Sequence, residues 1–228
     1  MKYLFILIFA FPIFSYNSLK KPLSNQKSII KNDFKKNSKK TIKNLIEVVK
    51  NEKSLDEWQW LAISSLARLT QVKSTPLLIK YTQHKEWNIR LAALKSLIAL
   101  KYKEPKVYAA LLKDKSMIVR IAALEGIQIL EISKLTPNIW NMFGDKKNYV
   151  QVGKDIKRSE ILSLAIESLS KFKSKKTKER LIKILRKSDY EDLWDEVDQV
   201  LRGWSRQKVP GSNVLARRSY WLSKQNTL

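Results

Sequence analysis

Apolar residues fall three and four apart over most of the chain, and one stripe recurs in five windows. It reads Trp58, Ala62, Leu66, Leu69; then Ile89, Ala93, Leu97, Leu100; then Val119, Ala123, Ile127, Leu130; then Ile161, Ala165, Leu169, Phe172. A fifth, degenerate copy runs Leu193, Val197, Leu201, Trp204. Such spacing puts all four residues on one helix face. Windows two and three repeat a whole phrase, Glu86 to Leu100 and Ser116 to Leu130, with aligned residues 30 apart. From window three to window four the step stretches to 42 residues. The recurrent Ala has a physical reason, because a methyl group lets neighbouring helices approach within the usual interaxial distance.

Each long stripe is followed by a shorter one. Pro76, Pro105 and Pro137 stand at the start of these second helices, where a missing N–H costs nothing. Their apolar faces are Leu78 and Tyr81; Val107, Leu111 and Leu112; and Ile139, Trp140 and Phe143. Ahead of the first window, Ile42, Leu45, Ile46, Val48 and Val49 predict a helix capped by Thr41. Ser54-Leu55-Asp56-Glu57 and Ser188-Asp189-Tyr190-Glu191 have the capping-box pattern that opens a helix. One such helix pair cannot bury its own apolar face, but a stack of pairs can. The predicted fold class is therefore all-α, an α-solenoid of about four to five helix-turn-helix repeats spanning 39–204.

The strings Ile89-Arg90-Leu91-Ala92-Ala93-Leu94 and Val119-Arg120-Ile121-Ala122-Ala123-Leu124 resemble HEAT repeats, in particular the short 30-residue kind of the phycobilin-lyase type. The resemblance runs from about Ser54 to Ser188 and is strongest in the second and third units. It implies that Arg90 and Arg120 are scaffold, tying one repeat to its neighbour. Gln59 and Leu162 stand where that pattern has Arg. It also implies a platform for binding, mostly of proteins and sometimes of nucleic acid.

The departures from the repeat are the expected contact regions. Asn141 to Arg158 is read as an inserted loop, and insertions in a stacked-repeat protein emerge on one face. In the fourth second helix nine basic residues fall between Lys171 and Lys187, with Glu179 as the only acid. Lys176, Arg180, Lys183 and Lys187 share one face of it, opposite Leu181, Ile182 and Leu185, and second helices are expected to line a concave surface. The following segment carries the acidic cluster Glu191, Asp192, Asp195, Glu196 and Asp198, read as a polar terminal cap. The tail 205–228, with Arg217, Arg218, Tyr220 and Trp221, is expected to dock on the last repeat, and basic–aromatic interleaving also fits a contact surface. Trp58 and Trp140 are read as core, and Trp60 and Trp87 as surface aromatics. The candidate partner-binding residues are Lys176, Arg180, Lys183, Lys187, Trp60, Trp87, Tyr149, Arg217 and Arg218.

Composition narrows the chemistry. There is no Cys, which removes disulfides, thiolate metal sites and a cysteine nucleophile. His84 is the only His and falls between units, so no catalytic, cofactor or metal residue is assigned and an enzyme is not expected. The formal charge of +24 has two readings, an anionic partner or a Lys-rich composition. With 35 Lys against 10 Arg the balance leans away from a dedicated phosphate reader, which favours the Arg fork. Met1 to Tyr16 pairs one Lys with an uncharged apolar run, the plan of a secretory signal peptide (1–15), followed by a basic flexible arm (16–38). The expectation is an exported, non-enzymatic scaffold for a protein partner, placed in a bacterial periplasm or outside the cell. The alternative is binding of an anionic polymer, nucleic acid or an acidic envelope glycan, through a basic concave face.

Overall fold

A computed structural model of the chain describes residues 38–51, 56–205 and 209–224. The expected signal peptide, all of the basic arm but its last residue, and Ser54 of the first capping box lie outside the described residues. The described residues form two compact units, divided after Tyr102. Among the described residues both are helical, apart from one hairpin in the second.

In the first unit α1 (Ser38–Lys50), α2 (Asp56–Thr70), α3 (Thr75–Tyr81) and α4 (Trp87–Ala99) follow in order. α2 packs on α1 and α4, and α3 packs on α4. The stripe positions do the packing: Leu45, Ala62, Leu66, Leu78, Ile89, Ala93 and Leu97 are all buried. Each large aliphatic side chain buried this way contributes about 1.5–3 kcal/mol. Tyr81 ties the unit together by donating to the Val49 carbonyl at 3.2 Å. Burial raises its phenol pKa. Thr41 is not a cap; α1 starts at Ser38 and Thr41 is buried within it.

The second unit holds α5 (Pro105–Leu111), α6 (Met117–Ile129), α7 (Thr136–Asn141), strands β1 (Tyr149–Val152) and β2 (Asp155–Arg158), then α8 (Ile161–Ser168), α9 (Lys175–Arg186), α10 (Trp194–Trp204) and α11 (Val214–Ser223). α6, α8 and α10 pack in succession, and α11 closes against α9 and α10. Val119, Ala123 and Ile127, then Ile161 and Ala165, then Val197 and Leu201 fill the core along this row. In α5 the fully buried side chain is Tyr108 rather than the expected Val107, which is half-buried.

A second periodic mark appears at the helix ends. Gln71, Lys101 and Glu131 have φ of 50°, 55° and 54°, and they too are 30 residues apart. After α4, the Tyr102 amide returns to the Leu97 carbonyl at 3.0 Å; after α6, Ile132 returns to Ile127 at 3.0 Å. These are Schellman closures in which Lys and Glu occupy the left-handed position that usually goes to Gly.

Two further sequence expectations need correction. Asn141 to Arg158 is ordered structure rather than a loop: two 3₁₀ turns lead into the β1–β2 hairpin, paired from Tyr149–Arg158 to Val152–Asp155. Gly153, with φ of 62°, takes the first place of its two-residue turn, where a positive φ is needed. Ser188 does not cap an α-helix. Residues Ser188–Leu193 form a 3₁₀ turn broken at Tyr190, and α10 begins at Trp194. The sequence pattern was present, but Tyr190 takes a non-helical φ of −112°.

Candidate functional site: a cationic groove around Trp140

The matched units use their arginines internally. Arg90 donates from one terminal nitrogen to the carbonyls of His84 and Lys85, both at 2.8 Å. Arg120 makes the same grip on Asp114 and Lys115, at 2.8 and 3.3 Å. The turns they hold are equivalent as well. The Glu86 amide donates to His84 Nδ1 at 3.2 Å, as Ser116 donates to Asp114 Oδ1 at 2.8 Å. His84 is thus a turn residue. Gln59 substitutes for the missing Arg of its unit by donating to the Asn51 carbonyl at 3.0 Å.

Arg120 also reaches forward. Its Nε donates to Asn148 Oδ1 at 2.9 Å and its second terminal nitrogen to the Lys147 carbonyl at 2.9 Å. Burial lowers its pKa, while Asp145 and Asp114 oppose that. Asn148 is fully buried and donates in turn to the Met142 carbonyl at 2.9 Å. Its own carbonyl accepts from the Ser159 hydroxyl at 2.9 Å. Both ends of the hairpin are fastened in this way. Tyr149 closes the arrangement by donating to the Phe143 carbonyl at 2.6 Å, and its pKa is raised mainly by burial.

The hairpin's last residue, Arg158, reaches the segment before α10. It donates to the Asp189 carbonyl at 2.6 Å and pairs with Asp192 at 2.9 Å. Its guanidinium carbon lies 4.0 Å from the centre of the Tyr190 ring. Tyr190 therefore has a fixed place, and it walls a groove between α7 and α9.

Trp140 sits at the centre of that groove. Ile139 and Met142 anchor α7 in the core and leave Trp140 half-buried, tilted against Phe143 at 5.6 Å. Arg180 of α9 lies 5.5 Å from the Trp140 ring centre, within cation–π range. A cavity of about 390 Å³ opens on one side, lined by Trp140, Phe172, Lys173, Lys176 and Arg180. Another of about 210 Å³ is lined by Trp140, Phe143, Lys183, Ile184, Lys187 and Tyr190. Trp140 also borders a third, of about 500 Å³, towards Ala109 and Leu112. No carboxylate lines the two cavities against α9 among the described residues.

α9 is built to present this cationic face. Ser174 caps it by accepting from the Thr177 amide at 3.1 Å. Leu181, Ile182, Ile184 and Leu185 are buried on the inner side. Lys176, Lys183 and Lys187 are exposed, Arg180 is half-buried, and Lys187 Nζ stands 5.8 Å from the Tyr190 ring. The Lys178 pKa is lowered by burial and by neighbouring Lys173.

The remaining sequence candidates lie elsewhere. Trp60, half-buried, and Trp87, 43% exposed, belong to the first unit. Arg217 and Arg218 are engaged within the second. Arg217 pairs with the buried Asp198 at 2.7 Å. Arg218 donates to the Leu185 carbonyl and stacks 4.3 Å from the Trp194 ring centre. Asp198 also accepts from Arg202 at 3.0 Å and Trp221 Nε1 at 2.9 Å, so it is the hub that holds α11. Trp140 and Tyr190 were not named as contact residues from the sequence. Trp58, read as core, is half-buried like Trp140.

Among the described residues no group of three or more His, Asp or Glu is placed to hold a metal ion. None of the described helices is long and apolar enough to cross a membrane.

Residues 42–128 match the family model described as HEAT repeats, well under half of the chain. The match runs from within α1 to most of α6, and the groove lies outside it. No curated protein and no solved structure matches the chain.

Proposed function

We propose that this protein is a non-enzymatic HEAT-repeat scaffold that binds a protein partner, with the Trp140 groove of its second unit as the contact surface. The observation that carries the reading is the groove itself: a half-buried indole flanked by two cavities and rimmed by Lys176, Arg180, Lys183 and Lys187. Buried aromatic anchors beside Arg, ringed by polar residues, are what protein interfaces use to concentrate affinity. HEAT repeats in residues 42–128 support the scaffold role, since stacked helix pairs offer extended surfaces. Their period of 30 residues fits the short kind of repeat. Export belongs to the same proposal and rests on the signal-like pattern of Met1 to Tyr16.

The test is photo-crosslinking in cells of the chain's own source. A photoreactive side chain replaces Lys183 in the groove or, as a control, exposed Lys106 on α5. The reading expects a discrete protein adduct at position 183 that position 106 lacks. Equal adducts at both positions, or none at 183, would overturn it. Fractionating the same cells tests export, and a purely cytoplasmic chain retaining residues 1–15 would remove that part.

A further inference from the structure

We infer that the groove's occupant is a short acidic segment of the partner protein, carrying one aromatic or large aliphatic residue that seats beside Trp140. The inference rests on the protein-binding reading above and adds the chemistry of what is bound.

Charge complementarity is the first argument. Lys176 and Lys183 are exposed on one face of α9, Lys187 is exposed just past its end, and no ion pair among the described residues engages them. The two cavities against α9 hold no acidic side chain, and the exposed acids of Glu191 and Asp195 line neither of them. An incoming carboxylate would meet several cations, and the one acid of α9, Glu179, lines neither cavity.

Dimensions give the second argument. From Lys176 to Arg186 α9 advances about 15 Å at about 1.5 Å per residue. An extended peptide covers that length with about five residues. The cavities of about 390 and 210 Å³ beside the indole are of side-chain size, and each offers an apolar wall, Phe172 in one and Phe143 with Ile184 in the other. A ligand held through phosphates alone makes no use of such recesses. The Trp140 ring is also already met by Arg180 at 5.5 Å, which leaves less of it for stacking a base. The groove thus combines a row of cations with an apolar socket.

Arg158 pins Tyr190 at the rim, and Arg158 is itself placed by the hairpin that Asn148 and Arg120 fasten. The inserted residues therefore shape the socket wall and need not touch the ligand.

Fluorescence anisotropy with the full chain tests this using labelled probes. One is an eight-residue Asp/Glu peptide with a central Phe. The others are its Asn/Gln counterpart, its Phe-to-Ala counterpart and a twelve-nucleotide single strand. The acidic Phe peptide should bind most tightly, with the Asn/Gln version at least about tenfold weaker, since charged hot-spot contacts have that scale. Lys183→Glu, an exposed change that leaves the fold intact, should weaken the acidic peptide by about tenfold. Trp140→Ala, checked for retained helicity, should remove the advantage of Phe over Ala but not the advantage of acid over amide. The inference is overturned if the oligonucleotide binds more tightly than the acidic Phe peptide, if Phe and Ala peptides bind alike, or if Lys183→Glu changes nothing. Should crosslinking at position 183 capture a protein through a neutral segment, the scaffold reading stands and this inference alone falls.

Discussion

Arg120 and Leu162 occupy the same place in successive units, 42 residues apart, and hold those units by different means. Around Arg120 the repeat holds its own turn and also reaches forward to the hairpin. The guanidinium satisfies the turn before its own helix, as Arg90 does one unit earlier. At Leu162 the same position is wholly apolar and fully buried, so nothing there can hold a turn. The fastening of that region comes from elsewhere: Asn148 and Ser159 at the base of the hairpin, Arg158 at its end, and Asp198 beneath α11. The regular region obeys one rule repeated. The irregular region substitutes several specific polar contacts, and these position Tyr190 and the rim of the Trp140 groove. Regularity makes the scaffold, and the exceptions shape the contact surface.

The contrast can be broken most severely at Asp198. Removing the carboxylate leaves Arg217 and Trp221 without their buried partner, and breaking such a hub costs about 3–5 kcal/mol. Asp198→Ala should lower stability on that scale in urea denaturation and expose α11 to trypsin at Arg217 and Arg218. Unchanged α11 protection would mean that apolar packing, not the hub, closes the unit.

Next in size is the link between the two regions. Arg120→Lys keeps a charge but cannot reproduce the bonds to Asn148 and Lys147. It should cost about 2 kcal/mol, the scale of leaving buried polar groups unsatisfied. A double-mutant cycle with Asn148→Ala should show coupling of about 1 kcal/mol or more. Independent effects would deny that the regular unit anchors the hairpin.

The helix closures sharpen the regular side. Lys101 and Glu131 sit at left-handed φ without being Gly, so Lys101→Gly and Glu131→Gly should each stabilise by about 0.5–1 kcal/mol, seen as a raised midpoint of thermal unfolding. A loss of stability would show that these side chains make contacts worth more than the strain.

The smallest effect concerns pH. The Glu167 carboxyl is raised from the ordinary value by burial, Glu196 and Glu160. A carboxyl raised in the folded state favours folding below its unfolded pKa, and that gain is lost as pH rises through the folded value. Because Glu167 is largely exposed, the effect is a few tenths of a kcal/mol. Glu167→Gln should flatten the decline in stability between acid and neutral pH.

The sequence made the regular region legible because its rule is periodic. Ala93 and Ala123, Arg90 and Arg120, and the phrase around them announce the repeat directly. The irregular region is written in single, non-repeating contacts. β1 and β2 are four residues each inside a Lys-rich run, too short for an alternation signal, although Val150 and Val152 before Gly153 were the available hint. Trp140 shares the apolar face of Ile139 and Phe143, and periodicity cannot tell a core position from a groove wall. Arg217 and Arg218 had the composition of a contact surface, but their partners, Asp198 and the Leu185 carbonyl, lie on other helices. The cationic face of α9 was readable because helical spacing alone defines it.

The most direct test of the central claim is hydrogen exchange on the full chain, free and bound to the protein captured from position 183. The account predicts slowed exchange in α7, α9 and the Tyr190 turn, with α4 and α6 unchanged. Protection confined to α4 and α6, leaving α7 and α9 at their free rates, would contradict it.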